Sequence, residues 1–519
     1  MSIRKKTIVS ILWMVVVIAM GLATLFAAVS HAADEDLQKK VEVLSQEVES
    51  LKRQAAESRP AAAPGKSISD WLTIGGDYRF RADSLRGEVA DHFPFTGFDP
   101  ATGNPVIGAL QPSFKVKNDT MFTNRLGLNL KAKVVRNVSL NVRLLMYKTF
   151  GSQDDSAVTG LQTFDPAGNR VVTPFFADRV GVFDGTIGHI PESSLLNVDQ
   201  AYVTWTNILD QPIWFSVGRR PSTGGVPSHL RQNNERPGTG GIPALLVDYA
   251  FDGASLGIAP DIDALPGAYA KLCYGRGFEN GITKTQGNGI RDTEFIGLSV
   301  TPYDTDRLMV NLQWDRGFNI FDSPVIDGKT LFGAPIEPRV NLGEIDWYGI
   351  TLLSAMKNVG PGTLNLFAAG AVSITHPNDN RTMKTPAFPG VGLLLNPGES
   401  NEDKTGEAVY VGARYDFNKD RTKVGVEYNY GTKNWIGFVP AGDDIWTSKL
   451  GVRGSVYEAY AIQELNLPVV ASYLSKTFFR LGYQYYEFDY TGSNGWVGAP
   501  VKISDLAVSP NNAQIFIPL

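Results

Sequence analysis

The charged residues with the most regular placement are Arg79, Arg81, Arg125, Lys131, Arg143, Arg414 and Arg480, with the carboxylates Asp77 and Glu427 among them. Each sits at one parity of a segment whose other parity is apolar. Asp77, Arg79 and Arg81 alternate with Tyr78, Phe80 and Ala82. Arg125, Asn129 and Lys131 alternate with Leu126, Leu128 and Leu130. Side chains at period two leave a strand on one face. Guanidinium and ammonium groups on a water-facing wall have two uses. A ring of one sign at a constriction sets ion preference. Bases interleaved with acids form a salt-bridge network that stiffens the wall. Asp83, Asp315 and Asp416 share the charged parity, which puts the mixed network ahead of a basic filter.

Nothing in the chain selects a catalytic site. The five histidines are His31, His92, His189, His229 and His376. The first falls in the N-terminal leader and the others in expected loops, with no metal-ligand spacing. There is no GxSxG, Walker or HExxH pattern. The single cysteine, Cys273, excludes an internal disulfide framework and any CxxCH haem attachment, and reads as a packed strand residue. Asp154, Asp155, Asp165, Asp178 and Asp184 are too irregularly spaced for a calcium loop and read as a solvated connection. No enzyme activity, cofactor or metal is expected. A formal charge of -5 gives no reason to expect nucleic acid as a partner.

The elements that must position the charges are strands. Alternating segments recur from residue 71 onward, about sixteen (16–18) in all. They fall near 71–83, 121–134, 138–148, 198–206, 212–220, 246–258, 267–275, 292–302, 306–316, 344–355, 362–374, 406–417, 421–431, 451–463, 476–489 and 507–518. Their connections are alternately short and long. This rhythm predicts an all-β, antiparallel, up-and-down transmembrane barrel with two unlike rims. Both ends of the barrel then lie on the short-turn side, and the longest loop, 149–197, is the candidate to fold inward. Aromatics near strand ends, including Trp205, Trp214, Trp314, Trp347, Tyr415, Tyr428 and Tyr483, suit the headgroup girdles of such a barrel.

Ahead of the barrel, residues 1–32 read as a signal peptide: Arg4, Lys5 and Lys6, an apolar run, then Ser30-His31-Ala32. Leu37, Val41, Leu44, Val48 and Leu51 in residues 33–58 are spaced four, three, four, three. That is the seam of a coiled coil, here a periplasmic helix joining copies of the chain into a homo-oligomer. Residues 59–70, containing Pro60 and Pro64-Gly65, form a linker to the barrel at 71–519.

Gln200-Ala201-Tyr202-Val203-Thr204-Trp205 followed by Val217-Gly218-Arg219-Arg220-Pro221 resembles a paired-strand signature of Gram-negative porins. Gly76-Asp77-Tyr78-Arg79-Phe80-Arg81, Tyr274-Gly275-Arg276-Gly277-Phe278 and Arg480-Leu481-Gly482-Tyr483-Gln484 resemble a porin-like outer-membrane family of anaerobic Gram-negative bacteria, formerly a domain of unknown function. That family also pairs an N-terminal heptad helix with a barrel. One departure is the C-terminus, where Phe516 is followed by Ile517-Pro518-Leu519 rather than ending the chain. The family has little established function to transfer, so the function expected rests on the residues: a barrel of about sixteen strands is wide enough for an aqueous channel. This predicts an outer-membrane porin in contact with lipid, passing ions or small solutes by diffusion through the lumen that the charged residues would line. The alternatives are a barrel that sheathes a multihaem cytochrome partner, or a structural outer-membrane protein without an open channel.

Overall fold

The computed structural model describes residues 68–514 except 152–162, 165–169, 172–183, 187, 192, 239, 283–288, 324–325, 332–333, 441 and 466–475. Leu72–Leu519 is one compact unit and Met1–Trp71 another. The expected signal peptide, heptad helix and most of the linker lie outside the described residues. The last linker residues belong instead to a helical turn, Ile68–Trp71.

Fifteen strands form a single sheet, here numbered β1 (Leu72–Val89), β2 (Phe114–Val135), β3 (Val138–Thr149), β4 (Ser193–Trp205), β5 (Ile213–Arg220), β6 (Phe251–Ile258), β7 (Tyr269–Phe278), β8 (Thr293–Asp304), β9 (Met309–Phe321), β10 (Asn341–Val359), β11 (Gly362–Pro377), β12 (Lys404–Phe417), β13 (Thr422–Gly431), β14 (Gly454–Leu465) and β15 (Thr477–Phe488). Each pairs antiparallel with its neighbours in sequence. The tight turns enforce this order. Arg136-Asn137 closes β2 onto β3 with Asn137 at φ 77°, a conformation that asparagine tolerates and hairpin turns require.

Fifteen of the sixteen expected strands are present. The last, 507–518, is not a strand over its described part. Pro510–Asn512 is a 3-10 turn capped by the Ser509 hydroxyl, and Pro510 has no N–H to give a ladder. With an odd count, β1 and β15 run in the same direction. Residues 489–514 therefore stay at the long-loop end, not on the short-turn side that sixteen strands would require. No β1–β15 pairing occurs among the described residues, so the expected closed barrel is seen here as an open sheet.

The sheet's outer face carries an apolar belt, bounded at the long-loop end by ion pairs such as Arg276–Glu294 and Arg316–Asp346. Phe215, Leu256, Leu272 and Leu298 stand in register across β5 to β8, all exposed, and the row continues through Trp314 to Tyr348. Tyr428, Tyr457 and Tyr485 form a second row with ring centroids 5.0 and 6.3 Å apart. A contiguous apolar belt of this extent is not left to water by a soluble monomer. It suits the lipid-facing side of a membrane barrel.

The inner face is packed by the chain's own long connections. Residues 221–250 carry Val226, Leu230, Leu245, Leu246, Val247 and Tyr249 into a core that includes Phe251, Phe295, Trp347 and Phe367 of the strands. Residues 432–453 add Trp435, Ile436 and Phe438. The two insertions exchange backbone bonds, Asp248 N to Phe438 O at 2.8 Å and Phe438 N to Leu246 O at 2.9 Å. Phe438 lies 5.0 Å from Phe295, 5.1 Å from Tyr249 and 5.8 Å from Trp496. The indole N–H groups of Trp347, Trp435 and Trp496 donate to the carbonyls of Ile436, Leu450 and Phe321 at 2.7, 2.8 and 2.7 Å. Trp347 is thus no girdle residue. It is fully buried on the inner face, where its N–H finds a partner that hydrocarbon could not supply. Gly349 is needed beside it, since a Cβ there would come within 2.7 Å of Leu246.

Most of loop 149–197, the expected constriction, lies outside the described residues. Its described residues 184–186 and 188–191 do turn inward: Ala250 N donates to Gly185 O at 3.0 Å and Ile190 is buried. The main insertions among the described residues are 221–250 and 432–453, joined in the core by Leu393, Leu394 and Trp496. Above them, Thr385 Oγ1 donates to Gly103 O at 2.6 Å and Phe98 packs on Phe388, so connection 90–113 reaches the one at 378–403.

Candidate functional site

The charged parity converges on two adjacent residues of one insertion, Asp443 and Asp444. They face opposite ways. Asp443 meets the first strands. Arg79 on β1 grips its carboxylate with both Nη groups, Nη2 to Oδ1 at 2.9 Å. Arg81 Nη1 donates to its main-chain oxygen at 3.1 Å, and Arg125 Nη1 on β2 lies 3.8 Å from Oδ2. Behind this contact, Asp77 accepts from Arg143 at 2.6 Å and from Arg125 at 3.5 Å. Arg143 continues to Asn129 at 2.6 Å and to Asp199 at 3.5 Å, and Asp199 holds His189 Nε2 at 2.5 Å. Asp83 takes Arg81 Nε at 2.8 Å. Four arginines thus face four aspartates.

Asp444 meets the last strands. Arg231 of the first insertion donates to it at 2.6 Å and to Glu458 on β14 at 3.1 Å. Gln484 on β15 donates to it at 2.7 Å. Lys449 Nζ lies between Glu427 and Glu458, 2.5 Å from each, under the ring of Tyr410 at 4.9 Å. Tyr410 and Tyr460 give their hydroxyls to Glu427 at 2.5 and 3.2 Å. Arg480 pairs with Glu458. Arg414 binds Asp416 at 2.7 and 2.8 Å and the Leu230 carbonyl at 2.5 Å, tying β12 to the insertion. Here too the charges balance: Arg231, Lys449, Arg414 and Arg480 against Asp444, Glu427, Glu458 and Asp416.

Burial differs at the centre of each cluster. The side chains of Arg79, Arg81, Arg125 and Arg143 are 20–27% exposed, with Asp199 enclosed behind them, while Lys449, Glu427 and Glu458 are 1% exposed and the second cluster opens to water only at its edge, at Arg480 and Asp416. Burial works against a charge on Asp443, but Arg79, Arg125 and Arg81 outweigh it and hold the carboxyl well below the usual carboxylate range. Burial, helped by Arg414 and Arg236, pushes His229 down to about 4, so it is neutral at pH 7.

Of the nine sequence-expected residues, Arg79, Arg81, Arg125, Arg143 and Asp77 meet in the first cluster and Arg414, Glu427 and Arg480 in the second. Lys131 stays exposed and joins neither. Leu37, Val41, Leu44, Val48 and Leu51 lie outside the described residues. Asp443, Asp444, Arg231 and Lys449 were missed, because a carboxylate or cation in a connection carries no parity; Glu458 was missed although it lies on β14 in register with Glu427 and parity could have found it. His376 is on strand β11 rather than in a loop, with Nε2 3.0 Å from Asp346 and Nδ1 3.1 Å from Asp403. Among the described residues no three His, Cys, Asp or Glu side chains are grouped to hold a metal.

An up-and-down antiparallel sheet, apolar outside and charged and loop-filled inside, defines a porin-like protein by architecture. Residues 115–518 match the model of the family described as "Protein of unknown function (DUF3373)", and the chain belongs to that family. No curated protein matches the sequence. Among solved structures it is similar to OmpT, an outer membrane protein of Vibrio cholerae, in its trimer form (12% identity, TM-score 0.34, 82% of this chain and 95% of that one). It is also similar to Salmonella typhi OmpF in complex with daunomycin (10%, 0.33, 80% and 97%) and to Pseudomonas putida OprB (9%, 0.35, 83% and 91%).

Proposed function

We propose that this chain is an outer-membrane channel protein that passes ions or small solutes by diffusion along a polar strip beside β1 to β4. The observation that carries this is the asymmetry of the inner face. The wall at Arg79, Arg81, Arg125 and Arg143 is charged and partly open to water, whereas the wall at Trp347 and Tyr410 is sealed by the chain's own insertions. The apolar outer face supports a place in lipid. The filled interior disfavours the sheath reading, since a cytochrome would need the volume that residues 221–250 and 432–453 occupy. The mature protein in planar bilayers is expected to give small, discrete conductance steps, and Arg125→Glu should shift the reversal potential in a salt gradient towards cations. A protein that folds but never conducts sinks this reading and leaves the structural one. The heptad seam supports a homo-oligomer: Leu44→Asp with Leu51→Asp should lower the native mass of the detergent complex, and an unchanged mass would remove the coiled coil from the account.

A further inference from the structure

We propose that Arg79, Arg81 and Arg125 form a binding site for a small multivalent oxyanion of the phosphate class, and that Asp443 occupies it as an internal stand-in. The inference rests on the channel reading for its role, naming the solute that the same polar strip would take.

Three guanidiniums from two adjacent strands close on one residue of a connection. Arg79 holds the Asp443 carboxylate in a two-pronged grip, the geometry that arginine offers to carboxylate and phosphate alike. Arg81 can reach only the main-chain oxygen, and Arg125 stands off at 3.8 Å. The site has donors to spare. Arg79 Nε and Arg125 Nε are buried without a hydrogen-bond partner among the described residues, and so is the hydroxyl of Tyr147. Tyr147 is 1% exposed, and Arg79 lies over its ring at 5.1 Å. Buried polar groups are nearly always paired, so unspent donors around one carboxylate mark a site that Asp443 underfills. The neighbouring acids do not make up the shortfall: Asp77 is shared between Arg143 at 2.6 Å and Arg125 at 3.5 Å, and Asp83 takes only Arg81 Nε, its other oxygen being buried without reaching the unspent donors.

A carboxylate has two oxygens and one charge. A tetrahedral oxyanion has four oxygens and up to two charges at neutral pH, and can engage Arg81 and Arg125 as well as Arg79. Asp443 can leave without unseating its segment. Asp444 stays tied to Arg231 and to the Lys449 amide at 3.0 Å, and Ile445 stays packed on Met121 and Tyr147. The arginines remain partly exposed, so a solute can reach them from water.

The test is equilibrium dialysis of radiolabelled inorganic phosphate against the refolded, detergent-solubilised full mature chain at constant ionic strength. Heat-modifiable mobility checks the fold. Asp443→Asn keeps the shape and removes the charge, and is expected to bind phosphate at least tenfold tighter than wild type. Adding Arg125→Gln should abolish that gain, and chloride at equal ionic strength should not compete. Equal binding by folded wild type and Asp443→Asn, or a gain that survives Arg125→Gln, overturns the proposal. Should Asp443→Asn not fold, Arg125→Gln alone is expected to lower wild-type phosphate binding at least fivefold, and unchanged binding overturns it. Dialysis needs no current, so a protein that binds phosphate but does not conduct defeats only the channel reading.

Discussion

The two halves of the inner wall solve the same problem in opposite ways. Along β6 to β13 the inward face is a dry aromatic core: Trp347, Trp435 and Tyr410 are at most 1% exposed, and the charges that enter, such as Lys449, are enclosed by partners. Along β1 to β4 the inward face keeps Arg79, Arg81, Arg125, Arg143 and Asp77 partly in water, while Asp199 and Tyr147 are enclosed behind them. The dry half gains hydrophobic burial and binds the insertions to the wall. The wet half contributes little to stability, because partly solvated ion pairs are weak. Among the described residues, the insertions pack mainly against β6 to β13, and the arginine-bearing wall keeps more contact with water.

That contrast sets the scale of expected effects. Lys449→Met leaves Glu427 and Glu458 facing each other in a buried site and should cost about 3–5 kcal/mol, the range for breaking a buried pair. Trp347→Ala opens a large void beside Phe295 and Phe438 and should cost about as much, roughly 3–5 kcal/mol. Urea unfolding of the refolded protein reads both, and a loss below ~1 kcal/mol for either would place that residue in the wet class. Leu298→Arg, on the outer face of β8, should cost about 2–4 kcal/mol if that face meets the bilayer midplane. Normal assembly of this variant in liposomes would remove the lipid assignment.

The smallest effect concerns acid. Asp443 has its carboxyl depressed on folding, so the unfolded chain takes up the proton first as pH falls. Its contribution is therefore complete above the unfolded value of about 3.9 and is lost as pH drops below it. The gap in unfolding midpoint between wild type and Asp443→Asn should narrow from pH 7 to pH 3. A gap that stays constant would mean that the Arg79 contact adds nothing to the wet half.

Strands and faces were readable in the sequence because period two is a local signal. It placed fifteen segments and put Asp77, Arg79, Arg81, Arg125, Arg143, Arg414, Glu427 and Arg480 together on the inward face. The filling of that face was not readable, because the contacts that decide it are not local. Arg79 meets Asp443 across 364 residues. Trp347 shows the limit well. Its parity says inward, yet its residue type suggested a girdle, and only the arrival of Phe438 and Leu246 decides between the two. One signal was present. Ile242-Pro243-Ala244-Leu245-Leu246-Val247 is too apolar for a solvated external connection, and its burial is the outcome.

The placement of Asp443 and Asp444 also orders events in time. Asp443 is tied to β1 across 364 residues, whereas Asp444 is tied to Gln484 of β15 across only 40, so the first tie closes a far longer stretch of chain than the second. Contacts across hundreds of residues form late, because the entropy of closing the intervening chain must be met first. The hairpin of β2 and β3 can therefore form well before Asp443 reaches Arg79, and that contact closes late, as a keystone does. The stability difference between wild type and Asp443→Asn should accordingly appear in the unfolding rate rather than in the early protection of the β2 and β3 amides.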